Sequence, residues 1–238
     1  MARKLVRGYF FKSTAKIKQK ELVCYVVGFT GKVSQFKYSI GKLNRRGYDV
    51  LAFDYSNNIL LKGNPQLIRD VIDHITGLTE ERAEQYDGVI CMGVSLGAFI
   101  SFNVQRRLPM ASIGAYATAG IAVSDGIFWM KVFEPVRDAF LKNGFTKEKL
   151  AKEWEDIEIA GEDPLLKDKS LVIVNGRLDR VVDHRKATVQ LGRWRRDGVP
   201  VQLYKKNLMG HTMTIMWYIF NTNKILNRAL KNHPTTNS

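Results

Sequence analysis

The stretch VICMGVSLGAF, residues 89 to 99, decides how this chain is interpreted. An apolar run typical of a buried strand leads in, and an apolar-periodic helix leads out. Between them Ser95 lies two residues from Gly93 and two from Gly97. A serine on such a strand-to-helix turn is predicted to have a strained, positive φ. The two glycines remove the Cβ clashes that arise where the chain folds back closely on itself.

Two interpretations fit this stretch alone. In the first, Ser95 is a nucleophile, and the N–H of Leu96 and the positive end of the following helix point to where an oxyanion would form. In the second, the glycines line an ordinary tight crossover and Ser95 caps the helix. Because the pattern is short, the rest of the chain has to decide between them.

Short apolar runs alternate with helical patterns along most of the 238 residues. Nearly continuous apolar strands joined by helices predict an α/β fold, with a mostly parallel sheet and helices on both faces. The N-terminal KLVRGYFFKSTAK is predicted to add an antiparallel edge strand, and HTMTIMWYIFNTNKILNRAL to form one closing helix. The six predicted central strands are 21–29, 48–56, 87–95, 110–120, 170–176 and 199–207.

Residues 121–169 are too long for a simple connection between two strands. They contain an amphipathic helix and then a charged helix around Lys147–Glu155. We therefore predict a small helical cap inserted before the strand that precedes Asp179. The core domain would comprise 1–120 and 170–232, with a disordered polar tail at 233–238. The apolar stripe of the first cap helix consists of Trp129, Val132, Phe133, Val136 and Phe140.

A serine hydroxyl needs a base, and the base needs an orienting acid. Asp179 lies just past the strand 170–176 in a glycine-containing turn, and His211 lies after the strand 199–207. Each alone is also consistent with a turn-capping aspartate or an ordinary histidine at a helix N-terminus. His211 is preferred because it follows a strand at the carboxyl edge, whereas His74 lies on a helix expected to pack on the sheet, His184 in the first turn of the helix after Asp179, and His233 in the polar tail. Asp54 and Asp125 stay open as alternative acids.

The order Ser95, Asp179, His211, each after a different strand, resembles the α/β-hydrolase superfamily. GVSLG, NGRLDRVV and GH match its pattern over roughly residues 20–230. The resemblance implies a catalytic triad of these three residues. It also implies an oxyanion hole formed by the N–H groups of Phe29 and Leu96, and a lid at the predicted cap.

The chain departs from that superfamily in two loops, which leaves the subfamily open. The family often has His-Gly in the oxyanion loop, where this chain has Val27-Gly28. After the next strand it often has Asp-x-Arg-Gly-x-Gly-x-Ser, where this chain has FDYSNNILLKG. Neither departure removes a group that the triad needs.

The resemblance implies a serine hydrolase acting on a small-molecule ester, or less favourably a thioester. Phe128, Trp129 and Phe133 would bind an acyl or aromatic group, or simply pack the cap onto the core. An acyltransferase with the same triad and a non-catalytic binding protein of this fold are the alternatives. No cofactor is expected, because the chain has no phosphate-loop, dinucleotide or metal-binding spacing.

The 37 basic and 23 acidic residues give a net charge of +14. The basic residues form short, separated clusters, so we expect a solvated basic surface and no nucleic-acid partner. Cys24 and Cys91 lie in apolar runs and are expected to be small buried side chains. No apolar run is long enough for a membrane span and no secretory signal is seen, so a cytoplasmic location is expected. The oligomeric state stays open.

Overall fold

The computed structural model describes residues 5–120, 122–159 and 163–233. Within those ranges, seven strands form one sheet in the order β1-β3-β2-β4-β5-β6-β7. β1 is antiparallel to β3, and every other neighbouring pair is parallel. This confirms the predicted mostly parallel sheet and its antiparallel N-terminal edge. The strands are β1 (Val6–Phe11), β2 (Glu21–Val26), β3 (Asp49–Tyr55), β4 (Gly88–Val94), β5 (Ile113–Ala117), β6 (Ser170–Gly176) and β7 (Val201–Lys206).

Helices cover both faces of the sheet, as predicted. Alternate strand residues point to opposite faces, so the strands contribute to two separate hydrophobic clusters. One cluster lies beneath α1, α9 and α10, and the other beneath α2 to α8. The helices are α1 (Lys37–Arg45), α2 (Asn58–Leu61), α3 (Gln66–Ala83), α4 (Leu96–Arg107), α5 (Val123–Trp129), α6 (Glu134–Lys142), α7 (Lys147–Glu153), α8 (His184–Arg196), α9 (His211–Phe220) and α10 (Thr222–Asn232). Short 3-10 helices occupy Val33–Phe36, Lys131–Phe133 and Pro164–Leu166.

The prediction of a single closing helix is wrong, because the helix breaks at Asn221. The side chain of Asn221 donates to the carbonyl oxygen of Trp217 at 2.9 Å, a bond that competes with continued helix. α10 then begins at Thr222, whose hydroxyl lies 2.6 Å from that of Ser39 in α1. The break lets α10 pack beside α1 instead of continuing the axis of α9.

The insertion between β5 and β6 folds into α5, α6 and α7, and it packs on the first part of α3. Trp154 Nε1 donates to the carbonyl oxygen of Pro65 at 3.1 Å, and Arg69 pairs with Glu153 at 3.0 Å. Buried side chains of the insertion belong to the same hydrophobic cluster as the strands, so its division from the core stays a prediction. Residues 1–4, 121, 160–162 and 234–238, which include most of the predicted tail, lie outside the described residues.

Cys24 and Cys91 are free and buried, which confirms their prediction as small interior side chains. They face each other across β2 and β4. None of the helices in the described ranges has both the length and the hydropathy needed to cross a bilayer.

Candidate active site

The turn between β4 and α4 has the predicted strained geometry. Ser95 has φ 54° and ψ −129°, which confirms its positive φ. A Cβ added at Gly93 would overlap the carbonyl oxygen of Gly97. One added at Gly97 would overlap the carbonyl oxygen of Val27. Any side chain at either position would therefore clash with backbone atoms. Backbone atoms cannot move aside as the end of a flexible side chain can, so both positions require glycine.

The strained turn is held by the end of β5. The N–H of Ser95 donates to the carbonyl oxygen of Ala117 at 2.9 Å and to Thr118 Oγ1 at 3.1 Å. Thr118 also has a positive φ, of 50°, and its N–H donates to the carbonyl oxygen of Val174 at 2.8 Å. Thr118 was not predicted as a site residue. Nothing in the sequence distinguishes it from any other threonine at a strand end.

Three loops at the carboxyl edge of the sheet bring Ser95, Asp179 and His211 together. His211 Nε2 lies 3.0 Å from Ser95 Oγ, and His211 Nδ1 lies 2.9 Å from Asp179 Oδ2. Asp179 Oδ1 accepts the N–H groups of Val181 at 2.8 Å and Val182 at 2.9 Å. The acid is thus fixed by its own loop, and one imidazole bridges the acid and the serine. This is the arrangement that activates a serine hydroxyl.

The alternative acids have other partners. Asp54 Oδ2 accepts the N–H of Val33 at 3.0 Å and so holds the loop after β2. Asp125 forms ion pairs with Lys147 and Lys186. The carboxylate that contacts His211 is that of Asp179.

The loop after β2 lies directly against the Ser95 turn. A Cβ added at Gly28 would be 3.3 Å from Ser95 Cβ, and the N–H of Gly31 turns back to the carbonyl oxygen of Gly28 at 2.9 Å. In the part of the chain that the structure describes, the N–H groups of Phe29 and Leu96 donate to no protein acceptor. Among the described residues, the two N–H groups thus lie unpaired at the Ser95 turn and in the loop packed against it.

A cavity of about 350 Å³ opens beside Ser95 between the core and the insertion. Trp129 and Phe133 line it, and Phe133 packs at a tilt against Phe29 with 6.4 Å between ring centroids. Phe128 is not among the lining residues and packs against the large hydrophobic cluster. Phe128 and Trp129 are neighbours in α5 and point about 100° apart, and of the two it is Trp129 that lines the cavity. Other apolar lining residues are Leu60, Leu96, Ile127, Val181 and Val182.

An ionic bridge of three side chains forms part of the cavity lining. Asp125 of α5 bonds to Lys147 of α7 at 2.8 Å and also pairs with Lys186 of α8. Burial opposes ionisation of Asp125, but the hydrogen bonds and charges of the two lysines outweigh it, so its pKa lies below the ordinary value. The bridge ties the insertion to the core. Sequence reasoning considered Asp125 only as an alternative acid.

Glu158 fixes the start of α5, the helix that forms one cavity wall. Its carboxylate oxygens accept the N–H groups of Val123 and Ser124, both at 2.9 Å. Those donors would otherwise lack partners at the helix N-terminus. Burial raises the pKa of Glu158, although the hydrogen bonds from these N–H groups oppose the rise. Sequence reasoning did not single out this residue.

Comparison with solved structures identifies the fold. An esterase of Pyrococcus furiosus, Pf2001, is 18% identical over 94% of this chain and 86% of its own, with a TM-score of 0.64. The α/β hydrolase domain-containing protein 10 from mouse is 14% identical over 94% of each chain, with a TM-score of 0.65. The chain has the α/β-hydrolase fold. The predicted fold class is therefore confirmed.

Est1E from Butyrivibrio proteoclasticus shares the same fold, with 13% identity over 95% of this chain and 94% of its own and a TM-score of 0.62. No protein-family model matches the sequence, and no curated protein sequence gives a significant match. The shared architecture is thus visible in the backbone and not in overall sequence similarity. Within that fold, the residues around Ser95 carry the functional argument.

Proposed function

We propose that this protein is a serine hydrolase that cleaves carboxylic esters through an acyl-enzyme. The observation that carries the proposal is the continuous contact from Asp179 through His211 to Ser95. It lies at a strained turn that opens into an apolar cavity. That turn requires a positive φ and two glycines, which an ordinary helix cap does not need.

The reaction follows from the contacts of each group. Ser95 Oγ attacks the ester carbonyl carbon while His211 Nε2 accepts the hydroxyl proton. The carbonyl oxygen becomes an oxyanion, which the N–H groups of Phe29 and Leu96 stabilise. The carbon–oxygen bond to the alcohol then breaks, and His211 gives its proton to the departing alkoxide. Asp179 holds the imidazole in the required tautomer and stabilises its charged form.

The second half of the reaction uses the same groups on water. A water molecule attacks the acyl-enzyme carbonyl, and His211 Nε2 accepts its proton. The bond to Ser95 Oγ breaks, and the proton returns to that oxygen as the carboxylic acid is released. The net reaction is ester plus water to acid plus alcohol.

The cavity favours an apolar acyl or aromatic group. Trp129 and Phe133 lie on the wall formed by the insertion, where they would contact that group. Carboxylic esters are the first candidate and thioesters the second. The esterase name of the Pyrococcus furiosus neighbour agrees with this choice. The cytoplasmic location stays a prediction.

A fluorophosphonate probe tests the proposal directly, because it phosphonylates only an activated serine. We expect the wild-type protein to be labelled at Ser95, as located by peptide mass spectrometry. Ser95→Ala should lose all labelling, whereas Ser124→Ala should keep it. Ser124 lies in the helix that forms one wall of the same cavity, whereas the hydroxyl in contact with His211 Nε2 is that of Ser95. An unlabelled wild type, or label retained in Ser95→Ala, would disprove the proposal.

Asp179→Asn is expected to lower kcat for an activated ester by about 10⁴-fold, because an amide favours the wrong tautomer of His211. Asp125→Asn is the matched control and should keep kcat within about tenfold, since it breaks only the ionic bridge. Initial rates on 4-nitrophenyl acetate measure both, and circular dichroism checks folding. If Asp125→Asn lost as much activity as Asp179→Asn, the assigned acid would be wrong.

A further inference from the structure

The positive charge of this protein is concentrated on one face. Residues 22–48 and 198–238 contain no aspartate or glutamate, and each contains five lysines and arginines. These two segments supply α1, α9 and α10, which pack against one another on the same side of the sheet. We call the outer surface of these three helices and the adjoining β7 the basic face. The ten lysines and arginines of these two segments account for most of the net charge of +14.

An exposed apolar stripe runs along the basic face. On α9, Met213, Met216 and Phe220 are 60%, 46% and 52% exposed. Their spacing of three and four residues places them on one side of the helix. Tyr38 of α1 is also exposed, and it packs edge-on against Phe220 with 5.3 Å between ring centroids. The opposite side of α9 is buried through Thr214, Tyr218 and Ile219. This helix is therefore largely apolar on both its inner and its outer side.

Cations border the apolar stripe at close range. Lys42 Nζ lies 4.6 Å from the ring centroid of Tyr38 and donates to the carbonyl oxygen of Phe220 at 2.6 Å. Lys206 Nζ lies 3.4 Å from the ring centroid of Trp217. Burial, and then the like charges of Lys224 and Arg228, lower the pKa of Lys206. Positive charges are thus crowded together here without acidic residues from these helices to balance them.

We propose that the basic face binds the surface of an anionic lipid bilayer. The apolar stripe would enter the boundary between headgroups and acyl chains, while the surrounding lysines and arginines contact lipid phosphates and carboxylates. A nucleic acid would match the cations but not the exposed methionines and Phe220. A second copy of the chain would bring the lysines and arginines of this face against an identical set of like charges. A bilayer with anionic headgroups complements both features at once.

Docking in this way would hold the catalytic edge near the membrane. α9 begins at His211, so the exposed stripe starts within one helical turn of the Ser95 contact. The binding itself does not depend on the hydrolase chemistry. Ser95→Ala should therefore bind vesicles as the wild type does, even if the proposed reaction proves wrong.

Vesicle co-sedimentation tests the proposal. We expect the protein to bind vesicles of phosphatidylcholine with about one-third phosphatidylserine at least tenfold more tightly than pure phosphatidylcholine vesicles. High ionic strength should weaken that binding, because it screens the headgroup charges. Equal binding to both vesicles, or no binding to either, would overturn the proposal.

Two pairs of variants separate the charge from the apolar stripe. Lys37→Glu with Lys224→Glu should lower binding to the anionic vesicles by at least about 20-fold. Met216→Gln with Phe220→Gln should lower it by at least about tenfold, because the apolar insertion is lost. All four positions are exposed, so the fold should be retained.

Matched controls make the same kinds of substitution, a reversal of charge and a loss of apolar surface, at positions outside the basic face. Lys149→Glu with Lys152→Glu, and Leu165→Gln, alter exposed residues of the insertion and should leave vesicle binding within about twofold. If these controls weaken binding as strongly, the basic face is not the docking surface.

Two other outcomes would identify a different partner. If duplex DNA is bound instead of vesicles and Lys37→Glu with Lys224→Glu abolishes that binding, the partner is a nucleic acid. If analytical ultracentrifugation shows a dimer lost with Met216→Gln and Phe220→Gln, and no vesicle binding, the partner is a second copy.

Discussion

His211→Ala is expected to lower kcat for an activated ester by about 10⁴- to 10⁶-fold. The imidazole is the group in contact with Ser95 Oγ, at 3.0 Å, so its removal leaves the hydroxyl without a base. It also leaves the Asp179 carboxylate without its Nδ1 partner. Activity on 4-nitrophenyl acetate and the rate of fluorophosphonate labelling measure the loss, and both should fall together.

His184→Ala is the matched control for that substitution. His184 begins α8 just as His211 begins α9, and it also follows a strand–loop unit. Its backbone carbonyl bonds to Thr188, an interaction that alanine keeps. We expect kcat to stay within about twofold, since the His184 side chain is not part of the contacts that join Asp179, His211 and Ser95. An equal loss in both variants would mean that His211 does not act as the base.

Gly97→Ala is expected to cost about 3 kcal/mol of unfolding free energy or more. The added Cβ would overlap the carbonyl oxygens of Val26 and Val27 at the end of β2. Because these are backbone atoms in the centre of the sheet, the clash can be relieved only by moving α4 or β2. Urea unfolding followed by circular dichroism measures the loss. A midpoint equal to that of the wild type would show that the close approach is not needed.

Gly77→Ala provides the opposite control. Gly77 lies inside α3, and a Cβ there meets no atom within 4 Å. Alanine is a better helix former than glycine, and it reduces the conformational entropy of the unfolded chain. We therefore expect the free energy of unfolding to rise by up to about 1 kcal/mol. The two variants add the same methyl group, at Gly77 into open space and at Gly97 against backbone atoms. Opposite signs of the two stability changes would assign the cost at Gly97 to the crowded turn and not to alanine itself.

The sequence determined the sheet and the turn at Ser95 because both have strong local signals. Strands buried on both faces are continuously apolar, so β2 to β6 stand out one by one. The two glycines around Ser95 predict a tight, strained turn that the structure contains. Asp179 and His211 were singled out because each follows a strand, and parallel strands place their carboxyl ends at one edge.

Which side chains face the cavity, and which of them pair with one another, depended on tertiary packing that no short stretch of the sequence reveals. Phe128 and Trp129 are equally apolar, and only the docking of α5 turns one to the core and the other to the cavity. Asp125 was considered as an acid, yet its position between α7 and α8 makes it an ionic bridge. Thr118 supports Ser95 only because β5 lies beside β4.

The distribution of charge was likewise decided by the tertiary structure. In the sequence, the basic residues form short, separated clusters, which predicts a solvated basic surface. The fold places α1 beside α9 and α10, although more than 160 residues separate Arg45 from His211. The sequence thus determined most of the elements that form and the sheet edge at which Ser95, Asp179 and His211 lie, because those depend on local periodicity. Only the tertiary structure decided which side chains meet in the cavity and on the basic face, because such contacts join segments far apart in the chain.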